Sequence, residues 1–217
     1  MEETKIEKRS YSSFANISEV CEMFNYDFDN KPFVDKKTFV PNEYFLKNLI
    51  EDFEDNKNFT NEYAICESII RPILSAVAKE NSLPLWSHVK LEYKINDTLE
   101  LSGEPDYLFA FGQRGHMAYS NPVVCLGEAK NGVFTTAWGQ VGAEMVAAQK
   151  RNKNEKIPIY GLVSAGRVWE FGKLEGNLFS IPTISYSAPS HLNEIMDILN
   201  WILCEARKNA TILENKN

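Results

Sequence analysis

The chain has 217 residues, 44% of them hydrophobic, enough for one sizeable core. Its formal charge of −7 argues against an indiscriminate nucleic-acid binder. No window approaches the length of a membrane span, and the opening Met1-Glu2-Glu3-Thr4-Lys5 is charged rather than signal-like, so a cytoplasmic protein without a membrane partner is expected.

Residues 1–58 read as a mainly helical N-terminal extension. The pattern predicts a short helix over Ile17–Phe24, a loop from Asp27 to Pro41, and a better helix over Asn42–Asp55. In that last segment Leu46, Leu49, Ile50 and Phe53 form an apolar stripe at helical spacing. The core is expected to begin near Thr60-Asn61, both suitable N-caps. Residues 62–80 read as a helix in which Pro72 should cause a kink or cost one hydrogen bond. Strands are predicted at Val89–Ile95, Pro105–Phe111 and Val123–Ala129, separated by loops at Asn96–Glu104 and Gly112–Asn121. Thr135–Lys150 is a helix rich in Gly and Ala, suited to close approach to a sheet. Strands at Ile157–Val163, Val168–Phe171 and Leu178–Ile184 follow, and a final helix covers Ser190–Arg207. This order predicts an α/β fold with a mixed central sheet flanked by helices.

Charge is distributed unevenly. Residues 1–60 hold 13 acids against 8 bases, and residues 61–217 hold 17 against 15. The acidity therefore weakens a nucleic-acid partner without removing it. Cys21, Cys66, Cys125 and Cys204 lie far apart in apolar or helical contexts and are expected to be reduced core residues. With three scattered histidines, a zinc site is disfavoured.

The residues that stand out are charges inside apolar strands. Glu128 and Lys130 are two apart and share a face of the strand that follows Val123-Val124-Cys125-Leu126. Asp106 sits in the strand-like segment Pro105–Phe111. Charges in such places are costly unless they pair or hold a metal. Glu67 falls with Ile70, Leu74 and Val77 on one helical face, where a carboxylate needs a cationic partner. The alternative is an acid in the N-terminal half of a helix that complements the dipole. Gln140 and Glu144 are one turn apart and share a face, as a functional pair or as a surface hydrogen-bonding pair. A Pro-Asp pair alone is usually a turn, and a Glu-x-Lys alone a solvated strand edge.

Taken together, Gly103-Glu104-Pro105-Asp106 and Gly127-Glu128-Ala129-Lys130, after a helix bearing Glu67, resemble the PD-(D/E)XK nuclease superfamily. The resemblance covers roughly Thr60 to Val163 of a core spanning 59–217. It extends to an uncharacterised subgroup through Gln140, Glu144-Met145, Tyr160-Gly161, Gly166 and Trp169. It implies a restriction-endonuclease-like αβββαβ core and Mg²⁺-dependent hydrolysis of nucleic acid, with DNA the expected polymer and Mn²⁺ a substitute metal. Asp106, Glu128, the Ala129 carbonyl and Glu67 would be metal ligands, Lys130 would assist water or stabilise charge, and Gln140 would orient water or phosphate.

Other features carry less. Lys150-Arg151-Asn152-Lys153 with Lys156 could grip phosphate, but a solvated helix C-terminus is the preferred reading. Arg114-Gly115-His116 occupies a loop suited to substrate contact. Trp138 and Trp169 are read as packing residues. No phosphate-cradling glycine loop and no Gly-x-Ser-x-Gly elbow occurs. Two rival readings stand beside the nuclease. One is a non-catalytic nucleic-acid- or protein-binding module on the same fold. The other is an ordinary α/β protein in which Asp106 and Glu128 lie far apart. For residues 1–58, dimerisation, covering the site and reading substrate stay open.

Overall fold

The computed structural model describes residues 6–113, 117–130 and 132–214. The loop triplet Arg114-Gly115-His116 lies outside the described residues. The chain opens with β1 (Glu7–Ser10), α1 (Ile17–Phe24), β2 (Asp27–Asp29) and α2 (Glu43–Glu54). A continuous helical run follows as α3 (Glu62–Ile65), a π turn (Cys66–Ile70) and α4 (Arg71–Glu80). Then come β3 (Leu85–Ser87), β4 (Leu91–Lys94), β5 (Leu99–Gly103), β6 (Tyr107–Gly112) and β7 (Tyr119–Ala129). After α5 (Phe134–Asn152) the chain makes β8 (Ile159–Ser164), β9 (Val168–Glu175), β10 (Leu178–Ser180), β11 (Tyr186–Ser187) and α6 (Ala188–Glu214).

The fold is mixed α/β. The larger sheet runs β2-β10-β9-β8-β7-β6-β3, with β11 added beside β9, and a smaller sheet runs β1-β5-β4. β7 and β8 are parallel, joined over the sheet by α5, while β6 and β7 are antiparallel. Side chains alternate along β7 and feed two cores. Val124, Cys125 and Ala129 join the face covered by α2, α4 and α6. Val123 and Leu126 join the face covered by α1 and α5. Glu128 is two residues beyond Leu126 and so points toward α5.

Several elements follow the local pattern closely. Asn16 caps α1 by accepting the Glu19 N–H, and Asn61 caps α3 by accepting the Ala64 N–H. Pro72 falls at the start of α4, directly after the π turn. That wider i→i+5 turn accommodates a residue that has no N–H to donate.

Other elements depart from the local pattern. The segment Asn96–Glu104, expected as a loop, contains β5, which pairs with β4 and β1 around the buried Leu101. Asp27–Asp29 at the head of the expected Asp27–Pro41 loop is a strand parallel to β10. Short polar strands of this kind form because a partner edge is available, not from propensity. Leu178–Ile184 shortens to Leu178–Ser180, ahead of Pro182, which cannot donate to a ladder. The N-terminal segments supply core to both faces: Tyr11, Phe14 and Val20 pack with α5, and Leu49 and Phe53 pack with α4 and α6. All four cysteines are free, and no helix among the described residues is long and apolar enough to cross a membrane.

Candidate metal centre at the ends of β6 and β7

Pairing of Tyr107 with Gly127 brings Asp106 and Glu128 together at one end of the sheet. The two residues clamp each other through the backbone. The Asp106 N–H donates to Glu128 Oε1 at 3.2 Å, and the Ala129 N–H donates to Asp106 Oδ2 at 2.8 Å. This contact removes the reading in which Asp106 and Glu128 lie far apart.

Lys130 leaves the strand end beside them. Its Nζ is 3.5 Å from Glu128 Oε2 and 3.6 Å from Glu62 Oε1. Burial works against its charge, but the Glu128 and Glu62 carboxylates outweigh it and hold the ammonium above the ordinary lysine range. Lys130 is therefore a cation at neutral pH. Its backbone N–H donates to Ser164 on β8, and Ala129 lies opposite Ser164 in the sheet.

Glu128 is 1% exposed, and Glu144 on α5 is fully buried against it. Burial, and then mutual repulsion with Asp106 or with each other, pushes both carboxyls above the usual carboxylate range. Gln140, half-buried one turn earlier, donates to Glu144 Oε1 at 3.4 Å. Glu144 Oε2 is a buried oxygen with no hydrogen-bond partner. Gln140 thus reaches the centre only through Glu144, which makes the pair internal and not a surface pair.

Glu67 does not join the cluster. It is exposed, whereas Ile70, Leu74 and Val77 of its expected stripe are buried. The physical reason is the π turn: its wider winding rotates Glu67 out of a stripe that was counted with 3.6 residues per turn. The acid that reaches the centre from this helical run is Glu62, at the first helical position after the Asn61 cap. In sequence Glu62 is indistinguishable from an acid that merely complements a helix dipole.

His88 is a second residue that the sequence did not single out. It adopts a left-handed backbone (φ 50) and its N–H points at the carbonyls of Pro105 and Asp106. Its Nδ1 lies 3.6 Å from Asp106 Oδ1. A non-glycine residue held at positive φ is uncommon and is often found near functional sites.

The basic patch lies elsewhere. The Asn152 side chain bonds both the N–H and the carbonyl of Val123, so the C-terminus of α5 sits near the start of β7. At about 3.3 Å per strand residue, that is about 17–20 Å from Glu128. Lys150 pairs with Glu155, and Arg151 donates to Asn121. Trp138 donates to Glu170 and Trp169 donates to the Gly166 carbonyl. Both rings are buried packing residues.

Among the described residues, no three acidic, histidine or cysteine side chains converge as a ready-made ligand set. A magnesium-type ion does not need one, since one or two carboxylates with waters and substrate oxygens suffice. The chemistry of the donors fits such an ion: paired carboxylates, an unpartnered buried oxygen and no thiolate or imidazole cage. No family model matches the chain, and no curated protein matches it.

Proposed function

We propose that the chain is a divalent-cation-dependent phosphodiesterase acting on nucleic acid, with DNA the first substrate to test, through a centre of the PD-(D/E)XK type. One observation carries the reading. Asp106 and Glu128 are locked together by reciprocal backbone hydrogen bonds at a sheet end, with a charged Lys130 beside them.

A cation held by Asp106 and Glu128 would neutralise charge on the phosphoryl oxygens and activate a bound water. The protein's own groups are arranged for that task. Asp106 commits Oδ2 to the Ala129 N–H, which leaves Oδ1 free. Glu128 commits Oε1 to the Asp106 N–H and turns Oε2 toward Lys130. Because Glu128 and Glu62 keep Lys130 protonated, its role is to stabilise developing negative charge rather than to accept a proton. Glu62 holds the ammonium from the helical side. Gln140 acts on the centre through Glu144.

The test is divalent-dependent DNA cleavage by Asp106→Ala and Lys130→Ala. Each variant should lose cleavage while keeping its circular dichroism and thermal transition. Cleavage that survives both substitutions would overturn the reading. A second reading, a non-catalytic binding module, is favoured by one specific feature: the densest basic patch is engaged in other contacts and lies at the far end of β7. It predicts a folded protein with no Mg²⁺ or Mn²⁺ affinity by calorimetry.

A further inference from the structure

Glu144 has no assigned role, yet its surroundings are unusual for a core residue. It sits in the middle of α5 among Ala143, Met145, Val146, Ala147 and Ala148, all fully buried, and is itself 0% exposed. A carboxylate in such a place is normally paired or fully hydrogen-bonded. Here one oxygen takes the long contact from Gln140, and the other, Oε2, has no partner. The side chain faces Glu128 and senses Asp106 beyond it. No cation of the protein reaches it: Lys130 stands on the Glu62 side of Glu128. Three carboxylates therefore border one small volume with a single ammonium at its outer edge.

We propose that Glu144 is a third carboxylate of the cation site, its free Oε2 accepting a hydrogen bond from a water of the ion that Asp106 and Glu128 bind. The proposal rests on the metal-centre reading above and adds a residue to it. Action through a water agrees with the finding that, among the described residues, no three such side chains converge as direct ligands. It also gives the Gln140 contact a purpose. The amide donates to Oε1, fixes the carboxylate plane and leaves Oε2 pointing at the site. Groups that orient a metal's waters and ligands in this way typically contribute about 10–100-fold in metal affinity.

The experiment uses Mn²⁺ alone as the probe, by calorimetry and by thermal unfolding at one fixed pH, on the wild type, Glu144→Gln and Asp106→Asn. Glutamine keeps the shape of the side chain and removes its capacity for negative charge. The expected result is that Glu144→Gln binds Mn²⁺ about tenfold or more weakly and shows a smaller Mn²⁺-induced rise in Tm. In the absence of metal it should be at least as stable as the wild type, because a buried carboxyl no longer has to be accommodated. A purely structural role predicts the reverse pattern, with metal-free stability lost and Mn²⁺ affinity unchanged, and that outcome overturns the proposal. Wild-type affinity for Mn²⁺ that Asp106→Asn weakens and Glu144→Gln does not overturns the role of Glu144 alone. No Mn²⁺ affinity in the wild type overturns this proposal together with the metal-centre reading on which it rests.

Discussion

Substituting Gly139 by alanine tests how the helix that carries Gln140 and Glu144 is held. A Cβ at position 139 would stand 2.5 Å from the Phe14 carbonyl oxygen, 2.7 Å from the Asn16 nitrogen and 3.0 Å from the Asn16 Cα. All three are backbone atoms, so no rotamer change relieves the clash, and residues 14–16 must move off α5. That segment contains the buried Phe14 and the Asn16 cap of α1. Overpacking costs about 1–3 kcal/mol, and contact with backbone puts this case near the upper end. Alanine's better helix propensity offsets about 1 kcal/mol. The net loss is about 2 kcal/mol, which for a chain of this length lowers Tm by about 4–8 °C. Gly142→Ala is the control. Its Cβ would meet Ile17 Cδ1 at 2.5 Å, the far end of a flexible side chain, with Val20 methyls at 3.7 and 3.8 Å. Rotation of Ile17 and the gain in propensity should leave stability within about 1 kcal/mol of the parent. Thermal unfolding of both variants is the assay. A Gly139→Ala protein as stable as the parent, or a Gly142→Ala protein less stable than Gly139→Ala, refutes the claim that backbone contact locks the N-terminal segment onto the site helix.

Two further outcomes follow from buried polar groups. The raised carboxyl of Glu128 makes the metal-free fold bind a proton more tightly than the unfolded chain does, so its stabilising contribution is complete below the ordinary carboxylate range. It is lost as pH rises from there through about 8. Metal-free Tm should therefore fall across that interval, and Glu128→Gln should flatten the fall; a pH profile identical to the wild type's would count against the assignment. Asn200 is a buried hub that accepts from the Asn81 side chain at 2.8 Å and donates to the carbonyls of Lys37 and Thr38 at 3.2 and 3.0 Å. Asn200→Leu should cost about 2–3 kcal/mol and speed amide exchange around residues 36–40, since the stranded partners stay buried or must open to water. Stability unchanged in that variant would show that water replaces the hub without cost.

The legible part of the fold was the part written in local patterns. Asn16 and Asn61 announce helix starts that the structure places at Ile17 and Glu62. The apolar run Val123–Leu126 is a buried strand, and period two along it sets Glu128 and Lys130 on one face. Strands whose only warrant is a neighbour, such as β5 and β2, carry no such pattern and went unread. Phe14 and Gly139 gave no local sign of their contact, because it joins residues 125 positions apart.

For the candidate centre, the sequence by itself determined that Asp106, Glu128 and Lys130 needed an explanation. Residue type and apolar context are enough to make buried charge improbable without partners. Only the tertiary structure decided who those partners are. The pairing of β6 with β7 brings Asp106 to Glu128, a π turn removes Glu67 and leaves Glu62 as the helical acid, and the packing of α5 buries Glu144 against Glu128. Each of those decisions depends on distances between elements remote in the chain, to which a one-dimensional pattern of polar and apolar residues is blind.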